Sequence, residues 1–432
     1  MNNYKANSDE TIKEMLASIG EKDTEGLFSM IDKRAIMQEL PLPEAMSEME
    51  VQKIVKSIAK ENKTEYEYFI GGGSYKRFIP AAISQISSRF EFNTAYTPYQ
   101  PEISQGTLQV IYEFQSMICD ITGMDVCNAS VYDAGSACAE AMRMAVRNSG
   151  KYKILVSGCI NPEYMQVIKT YAHAGDIEVE EVSTEKFKTN ISSIKDKMKS
   201  GDYAGLIIQN PNFFGSLEDI EEIKNIEKHP KTMLIACTEM ISACVLVKPS
   251  DYNADIVVGD VQSFGNPMSF GGPSAGFIAT LDKYKRQLAG RIVGRTLDAD
   301  GNQAFTLTLQ AREQHIRREK ATSNICSNQG LAILNAVVYL SLLGKTGVEQ
   351  VAFLSAKNAN ILANKLKEKG YKILNTDFFN EFVLEVNNSN KFLAQMKQNN
   401  ILAGLKLNDK QILVCTTEIN TKEEIENYIQ NA

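Results

Sequence analysis

The chain has 432 residues, 44% of them hydrophobic and 23% charged, with a net charge of −7. That is enough chain for two or three domains with a sizeable core, and a mildly acidic balance gives no electrostatic reason to expect nucleic acid as a partner. Eight cysteines without a CxxC pair, and three histidines (His173, His229, His315) far apart in the sequence, argue against a disulfide framework and against a metal centre.

The N-terminus, Met1-Asn-Asn-Tyr-Lys-Ala-Asn-Ser8, lacks the apolar stretch of a signal peptide, and no apolar run reaches the length of a bilayer span. A cytoplasmic chain, with no membrane and no nucleic-acid partner, is expected. Residues 1–65 read as a charged helical arm. Ser8 caps Ile12–Ile19, which stops at Gly20, and Ser47–Ala59 carries the apolar stripe Met49, Val51, Ile54, Val55 and Ile58. Such an arm is expected to pack on another domain or subunit.

Phe69-Ile-Gly-Gly-Gly-Ser-Tyr75 is a glycine-rich turn with backbone freedom that other residues lack. The segment Thr94-Ala-Tyr-Thr-Pro-Tyr-Gln-Pro-Glu102 follows. Two prolines in four residues fix φ and remove donors, so it is neither a helix interior nor a central strand. It presents Tyr96, Tyr99 and Glu102 on a stiff loop that leads into an amphipathic helix, Gln105 to Thr122.

Residues 128–280 alternate short apolar strands with helical stretches. Strands are predicted at 152–157, 177–182, 206–209, 233–237, 255–258 and 276–280, with helices at 136–147, 161–174, 191–199 and 218–228 between them. That alternation predicts a mostly parallel α/β sheet with right-handed crossovers. The large domain is assigned to 66–326. A buried helix near Leu331–Leu343, strands near 371–375, 380–386 and 411–415, and a terminal helix from Lys422 predict a small α+β domain over 327–432.

A large parallel sheet with an arm and a small C-terminal domain suggests the aminotransferase-like fold of pyridoxal-phosphate enzymes (fold type I). In that fold a lysine follows a strand just before a glycine-rich return. Here the return, Gly259 to Gly276, follows the strand 255–258, yet no lysine occurs from Pro249 through Leu281. Covalent attachment of the aldehyde needs an amine, which neither Gln nor Ser supplies. Asp133-Ala-Gly-Ser136 opens a helix, where free N–H groups could hold a phosphate; a plain N-cap is the commoner meaning.

The runs Thr94–Gly106, Thr122–Val126, Ser269–Pro273, Gly290-Arg-Ile-Val-Gly-Arg295 and Arg312–Cys326 together resemble the P-protein family of the glycine cleavage system, glycine dehydrogenase (decarboxylating). The likeness covers nearly the whole chain and fits the N-terminal-half subunit of the split form. It implies pyridoxal phosphate bound covalently by the lysine-bearing P-protein subunit 2, decarboxylation of glycine, and transfer of the aminomethyl group to the lipoyl group of H-protein. The lysine position falls near Gln262. It further implies a heterodimer, or a dimer of heterodimers, with this chain inactive alone. Candidate residues reaching a partner's site are Tyr96, Tyr99, Glu102 and Tyr75, with Thr322, Ser323 and Asn324 toward the cofactor. His315, Arg317 and Arg318 read as a charged helical face. Two departures limit the carry-over. Tyr132-Asp-Ala-Gly-Ser136 shifts its glycine by one position, so a phosphate-holding role is not transferred; Arg77 replaces a frequent histidine, so no acid–base role is transferred there. The alternatives are a self-sufficient pyridoxal-phosphate enzyme, opposed by the missing lysine, and a structural or regulatory subunit that contributes no active-site group.

Overall fold

The computed structural model describes residues 7–36, 41–93, 95–325 and 327–432. Met1–Ala6, Thr94 and Cys326, all part of the sequence expectations above, lie outside the described residues. The chain divides into two units, Met1–Thr64 and Glu65–Ala432.

In the first unit, Ser8 caps helix Asp9–Ser18 by accepting from the Thr11 N–H. Ser47 and Glu50 form a reciprocal capping box at the start of Glu48–Ala59. The predicted stripe Met49, Val51, Ile54, Val55 and Ile58 is exposed along its whole length.

The second unit is built on a seven-stranded sheet: β1 (Val126–Cys127), β2 (Lys153–Ser157), β3 (Glu178–Val182), β4 (Gly205–Gln209), β5 (Met233–Glu239), β6 (Ile256–Asp260) and β7 (Gly276–Thr280). Its order is β1-β7-β6-β5-β4-β2-β3. The five strands β3, β2, β4, β5 and β6 run parallel, while β7 is antiparallel to both β6 and β1. Inner strands such as β5 are buried along nearly their full length, because helices cover both faces. One core, on the face of helix α1 (Gln105–Thr122), contains Leu108, Ile111, Phe114 and Ile118. The other lies under α2 (Ala134–Ser149) and α3 (Pro162–Ala174). The aminotransferase-like expectation, with a mostly parallel sheet, is met.

Elements not expected from the sequence include the helices Ala81–Ser87 and Ser389–Gln398. The edge strand β1 is only two residues long. The hairpin β8 (Ile292–Leu297) and β9 (Gln303–Thr308) projects beyond the main sheet, with its tip exposed, so its apolar pattern is short. The helical face expected at His315, Arg317 and Arg318 is split between a four-residue turn of helix at Gln314–Arg317 and a 3-10 turn at Arg318–Lys320. Arg318 sits at φ 53°, which a helix does not allow.

Helix α4 (Gly330–Glu368) is long and apolar enough, by length and composition alone, to cross a bilayer, which amends the expectation that no such run exists. It is broken at Gly344, and Ile333, Ala336, Val337 and Tyr339 pack into the α1-side core. Its C-terminal half lies on a four-stranded antiparallel sheet of β10 (Lys372–Ile373), β11 (Glu381–Glu385), β12 (Leu405–Lys406) and β13 (Gln411–Cys415), in the order β10-β11-β13-β12. That sheet has its own core, which includes Phe69, Leu362, Phe382 and Tyr428.

Candidate functional site

In an open parallel sheet, ligands settle at the carboxyl ends of the strands. Here Gln209, Glu239 and Asp260 end β4, β5 and β6, and all three border a crevice shared with Gly73, Tyr75, Tyr164 and Gln262. The crevice holds about 30 Å³, roughly the volume of one water molecule.

Side chains that bond to one another fill it. Gln262 stands where the family lysine is expected. Its Nε2 donates to the Tyr75 carbonyl at 3.0 Å and to the Asn266 carbonyl at 2.9 Å. Its Oε1 accepts from the Tyr75 N–H at 2.9 Å. One amide thus satisfies three buried backbone groups and pins the glycine turn to the sheet. Asp260 accepts from the Gln262 N–H at 2.7 Å and from the Ser274 hydroxyl. Burial raises the Asp260 carboxyl to about 6. The Tyr75 hydroxyl donates to Glu381 Oε2 at 2.8 Å, and the Gly72 N–H donates to the other Glu381 oxygen at 2.7 Å. Burial lifts Glu381 to about 7, and burial together with that carboxylate pushes the Tyr75 phenol well above its ordinary value. Arg77, also buried, pairs with Glu418 at 2.7 Å and lies 3.5 Å from Glu239. At the mouth of α2, Asp133 accepts from the Ser136 N–H at 2.7 Å, so the helix start is capped by its own chain. Pyridoxal phosphate does not fit this crevice: there is no amine for attachment, no room for a ring, and Gln262, Tyr75, Asp260 and Glu381 already engage one another and the glycine turn.

The stiff loop forms a different surface. Tyr96 is 88% exposed, and Glu102 is exposed on the 3-10 turn Pro101–Ile103. Tyr96 and Pro98 line a cavity of about 420 Å³ with Pro273 of the glycine return and with Gly330 and Leu331 at the start of α4. Tyr99 is half-exposed. Its hydroxyl accepts from Arg291 Nη2 at 2.9 Å, and its ring meets His315 edge-on at 5.7 Å. Arg291 Nε lies 3.4 Å from Glu313, and His315 Nδ1 lies 3.6 Å from the same carboxylate. The loop and the 312–326 tract therefore meet, joined by Arg291.

Gly290 makes that junction possible. It sits at φ 77°, and a Cβ there would come within 2.9 Å of the Ser130 carbonyl. Further along the tract, Arg312 donates to the Leu288 and Gly290 carbonyls, and the Thr322 N–H donates to the Arg312 carbonyl at 3.1 Å. Arg147 donates to the Thr322 carbonyl at 3.2 Å, and the Ser323 hydroxyl donates to the buried Glu140 at 2.7 Å. Asn324 is exposed. The structure brings Tyr99 together with the start of the tract. Tyr75 stands apart in the crevice, and Ser323 is tied to α2. Arg291 and Glu313 had no assigned role in the sequence reading, although both lie inside the motifs quoted there. His315, read as part of a charged helical face, instead touches Tyr99.

These features define an aminotransferase-like α/β chain whose own cofactor crevice is closed and whose Tyr/Pro loop is open. The family model described as "Glycine cleavage system P-protein" matches residues 2–431. The chain is 42% identical to the probable glycine dehydrogenase (decarboxylating) subunit 1 of Carboxydothermus hydrogenoformans, over 99% of this chain and 98% of that one. It is 43% identical to the corresponding protein of Staphylococcus carnosus, over 97% and 96%. A crystal structure of a glycine decarboxylase (P-protein) of the glycine cleavage system, in inhibitor-bound form, superposes with a TM-score of 0.93 at 35% identity, covering 99% of this chain and 98% of that chain. A glutamate decarboxylase from Lactobacillus brevis, at 12% identity and a TM-score of 0.66 over 94% and 96% of the two chains, shares the fold alone. The chain belongs to the P-protein family of the glycine cleavage system.

Proposed function

We propose that this chain is the lysine-free subunit of a two-subunit glycine dehydrogenase (decarboxylating), an oxidoreductase assembled with a lysine-bearing subunit 2. In that assembly the partner holds pyridoxal phosphate, which supplies the electron sink for loss of CO₂ from glycine. The aminomethyl group passes to the lipoyl group of H-protein. This chain walls in the partner's reaction centre with Tyr96, Tyr99 and Glu102, while Thr322 and Asn324 extend the same face. Tyr75 and Ser323 act from within, holding the glycine turn and the tract in place. The reading includes a heterodimer or a dimer of heterodimers in the cytoplasm, no activity from this chain alone, and a division into an arm at 1–65, a large domain at 66–326 and a small domain at 327–432. The observation that carries it is the Gln262 clamp: the lysine position is filled by an amide with every polar atom engaged, so any cofactor chemistry must come from a neighbour.

The test is co-purification with the lysine-bearing subunit, followed by glycine–bicarbonate exchange with lipoyl H-protein present and each subunit omitted in turn. Activity is expected only when both are present. Tyr96→Phe and Tyr99→Phe are each expected to lower turnover by about tenfold, the effect of one lost hydrogen bond in a dry site, with assembly intact. Unchanged turnover in both would remove the loop from the site. Full activity of this chain alone, with aldehyde fixed to it by borohydride, would overturn the whole reading.

A further inference from the structure

Arg291 is 3% exposed and immediately precedes β8. A guanidinium has only donors, so in its 2.9 Å contact the Tyr99 oxygen must accept. That uses one lone pair of the phenol and leaves its proton with nowhere to go inside the chain: among the described residues the Tyr99 hydroxyl finds no acceptor. The guanidinium carbon also lies 5.2 Å from the Tyr99 ring centroid, so the arginine fixes the ring as well as its oxygen. Arg291 itself is under-used. Its Nε and Nη1 make no hydrogen bond among the described residues although both are buried, and Glu313 Oε1 is in the same condition. Buried donors and acceptors in native proteins are nearly always paired, so Arg291 and Glu313 depend on their mutual 3.4 Å ion contact, and the one outward-facing polar group of the cluster is the half-exposed Tyr99 hydroxyl.

We propose that Arg291 is a positioning residue: it holds Tyr99 as a directed hydrogen-bond donor toward an acceptor oxygen presented at this face, and Glu313 holds Arg291. The inference deepens the reading of Tyr99 given above and rests on it. An anionic oxygen suits the position best, because Arg291 adds positive charge behind the phenol. Two sources carry that chemistry, the carboxylate of the amino-acid substrate and the phosphate of the partner's cofactor.

The experiment is a double-mutant cycle in the two-subunit enzyme, paired with a spectroscopic readout on this chain. Tyr99→Phe, Arg291→Lys, the pair Arg291→Met with Glu313→Gln, and each arginine change combined with Tyr99→Phe are assayed for kcat, for KM toward glycine and for retention of pyridoxal phosphate. The Met/Gln pair removes both buried charges together, so neither is left unpaired if the single change fails to fold. Tyr99→Phe and the Met/Gln pair are each expected to lose about tenfold or more, and the triple change to lose no more than Tyr99→Phe alone within about twofold. Arg291→Lys should fall between, because a lysine keeps the charge but not the fork. A rise in KM with the cofactor retained assigns the acceptor to the substrate carboxylate; loss of cofactor assigns it to the phosphate. Losses that multiply would show that Arg291 acts independently of Tyr99 and overturn the proposal. In this chain labelled with 3-fluorotyrosine, the Tyr99 resonance, assigned by its disappearance in Tyr99→Phe, should move in both arginine variants. A fixed resonance would overturn the positioning role whatever the activity. A Tyr99→Phe enzyme with full turnover and a moving resonance would instead defeat the functional reading of Tyr99 and leave the local geometry standing.

Discussion

Replacing Gln262 with Leu tests the claim that Gln262, at the position where the family lysine is expected, is a structural clamp. Leucine has nearly the same bulk but offers no polar atom. The Tyr75 N–H and the carbonyls of Tyr75 and Asn266 lose their partners in a region where Gln262 itself is only 8% exposed. An orphaned buried N–H costs about 1–3 kcal/mol, and the carbonyls somewhat less. The added apolar burial returns about 1 kcal/mol, so the net loss is about 3 kcal/mol. With a urea slope near 3 kcal/mol per molar, the unfolding midpoint should drop by about 1 M. The glycine turn at 69–75, released from the sheet, should also become a preferred site of limited proteolysis. A midpoint within about 0.2 M of the parent would refute the clamp. Gln262→Lys is the companion experiment. It restores an amine without restoring space, so incubation with pyridoxal phosphate and borohydride should leave residue 262 unlabelled. A stoichiometric adduct at that position would show that the 30 Å³ crevice opens far more readily than its packing implies.

Glu381 gives a pH prediction. Burial raises its carboxyl from the usual 4.5 to about 7, so between those values the folded chain binds a proton that the unfolded chain has released. Its contribution to stability is therefore complete below about pH 4.5 and is lost as pH climbs through about 7, a fall of roughly 3 kcal/mol. Glutamine at 381 can still accept from the Gly72 N–H and donate to the Tyr75 oxygen without ionising, so Glu381→Gln should gain stability over the parent at pH 8 and little at pH 5; parallel denaturation curves at both pH values would contradict this. Gly290→Ala should cost about 1–2 kcal/mol from its left-handed backbone, with further loss as the new methyl presses on the Ser130 carbonyl. Because Arg291 is displaced with it, turnover should fall alongside Tm, and a variant with parental values of both would remove the turn from the argument.

Much of the architecture was legible because the central strands are short apolar runs at regular spacing, the pattern that a sheet covered on both faces imposes. The missed elements lacked that signal. A two-residue edge strand has no periodicity to detect, and the β8–β9 hairpin exposes its tip. His315, Arg317 and Arg318 read as a helical face, yet Arg312 and Arg147 spend their guanidinium groups on backbone carbonyls, and that bonding holds the tract in turns. The absence of a lysine after the strand now described as β6 was readable from the sequence. What replaces it was not, because Gln262 finds its partners at Tyr75, a distant position on another loop. Arg291 was overlooked for the same reason: 192 residues separate it from Tyr99, and only the folded chain puts guanidinium against phenol.

The filled crevice and the open loop differ in what their polar groups face. Removing a lysine from a cofactor site would leave a polar hollow with unpaired groups, which a folded chain tolerates poorly. Here the hollow is filled: Gln262, Tyr75, Glu381 and Asp260 bond one another and the glycine turn. The loop from Ala95 to Glu102 shows the opposite balance. Tyr96 lies bare, the half-exposed Tyr99 hydroxyl has no acceptor among the described residues, and Arg291 and Glu313 keep unmatched polar atoms beneath it. Stability alone would favour pairing those atoms or replacing them with apolar side chains of similar shape, since a half-satisfied buried network is worse than either. Arg77 in the crevice keeps unmatched buried nitrogens as well, so it is the exposure of Tyr96 and Tyr99, rather than the unmatched atoms alone, that directs the search for the chemistry to this surface.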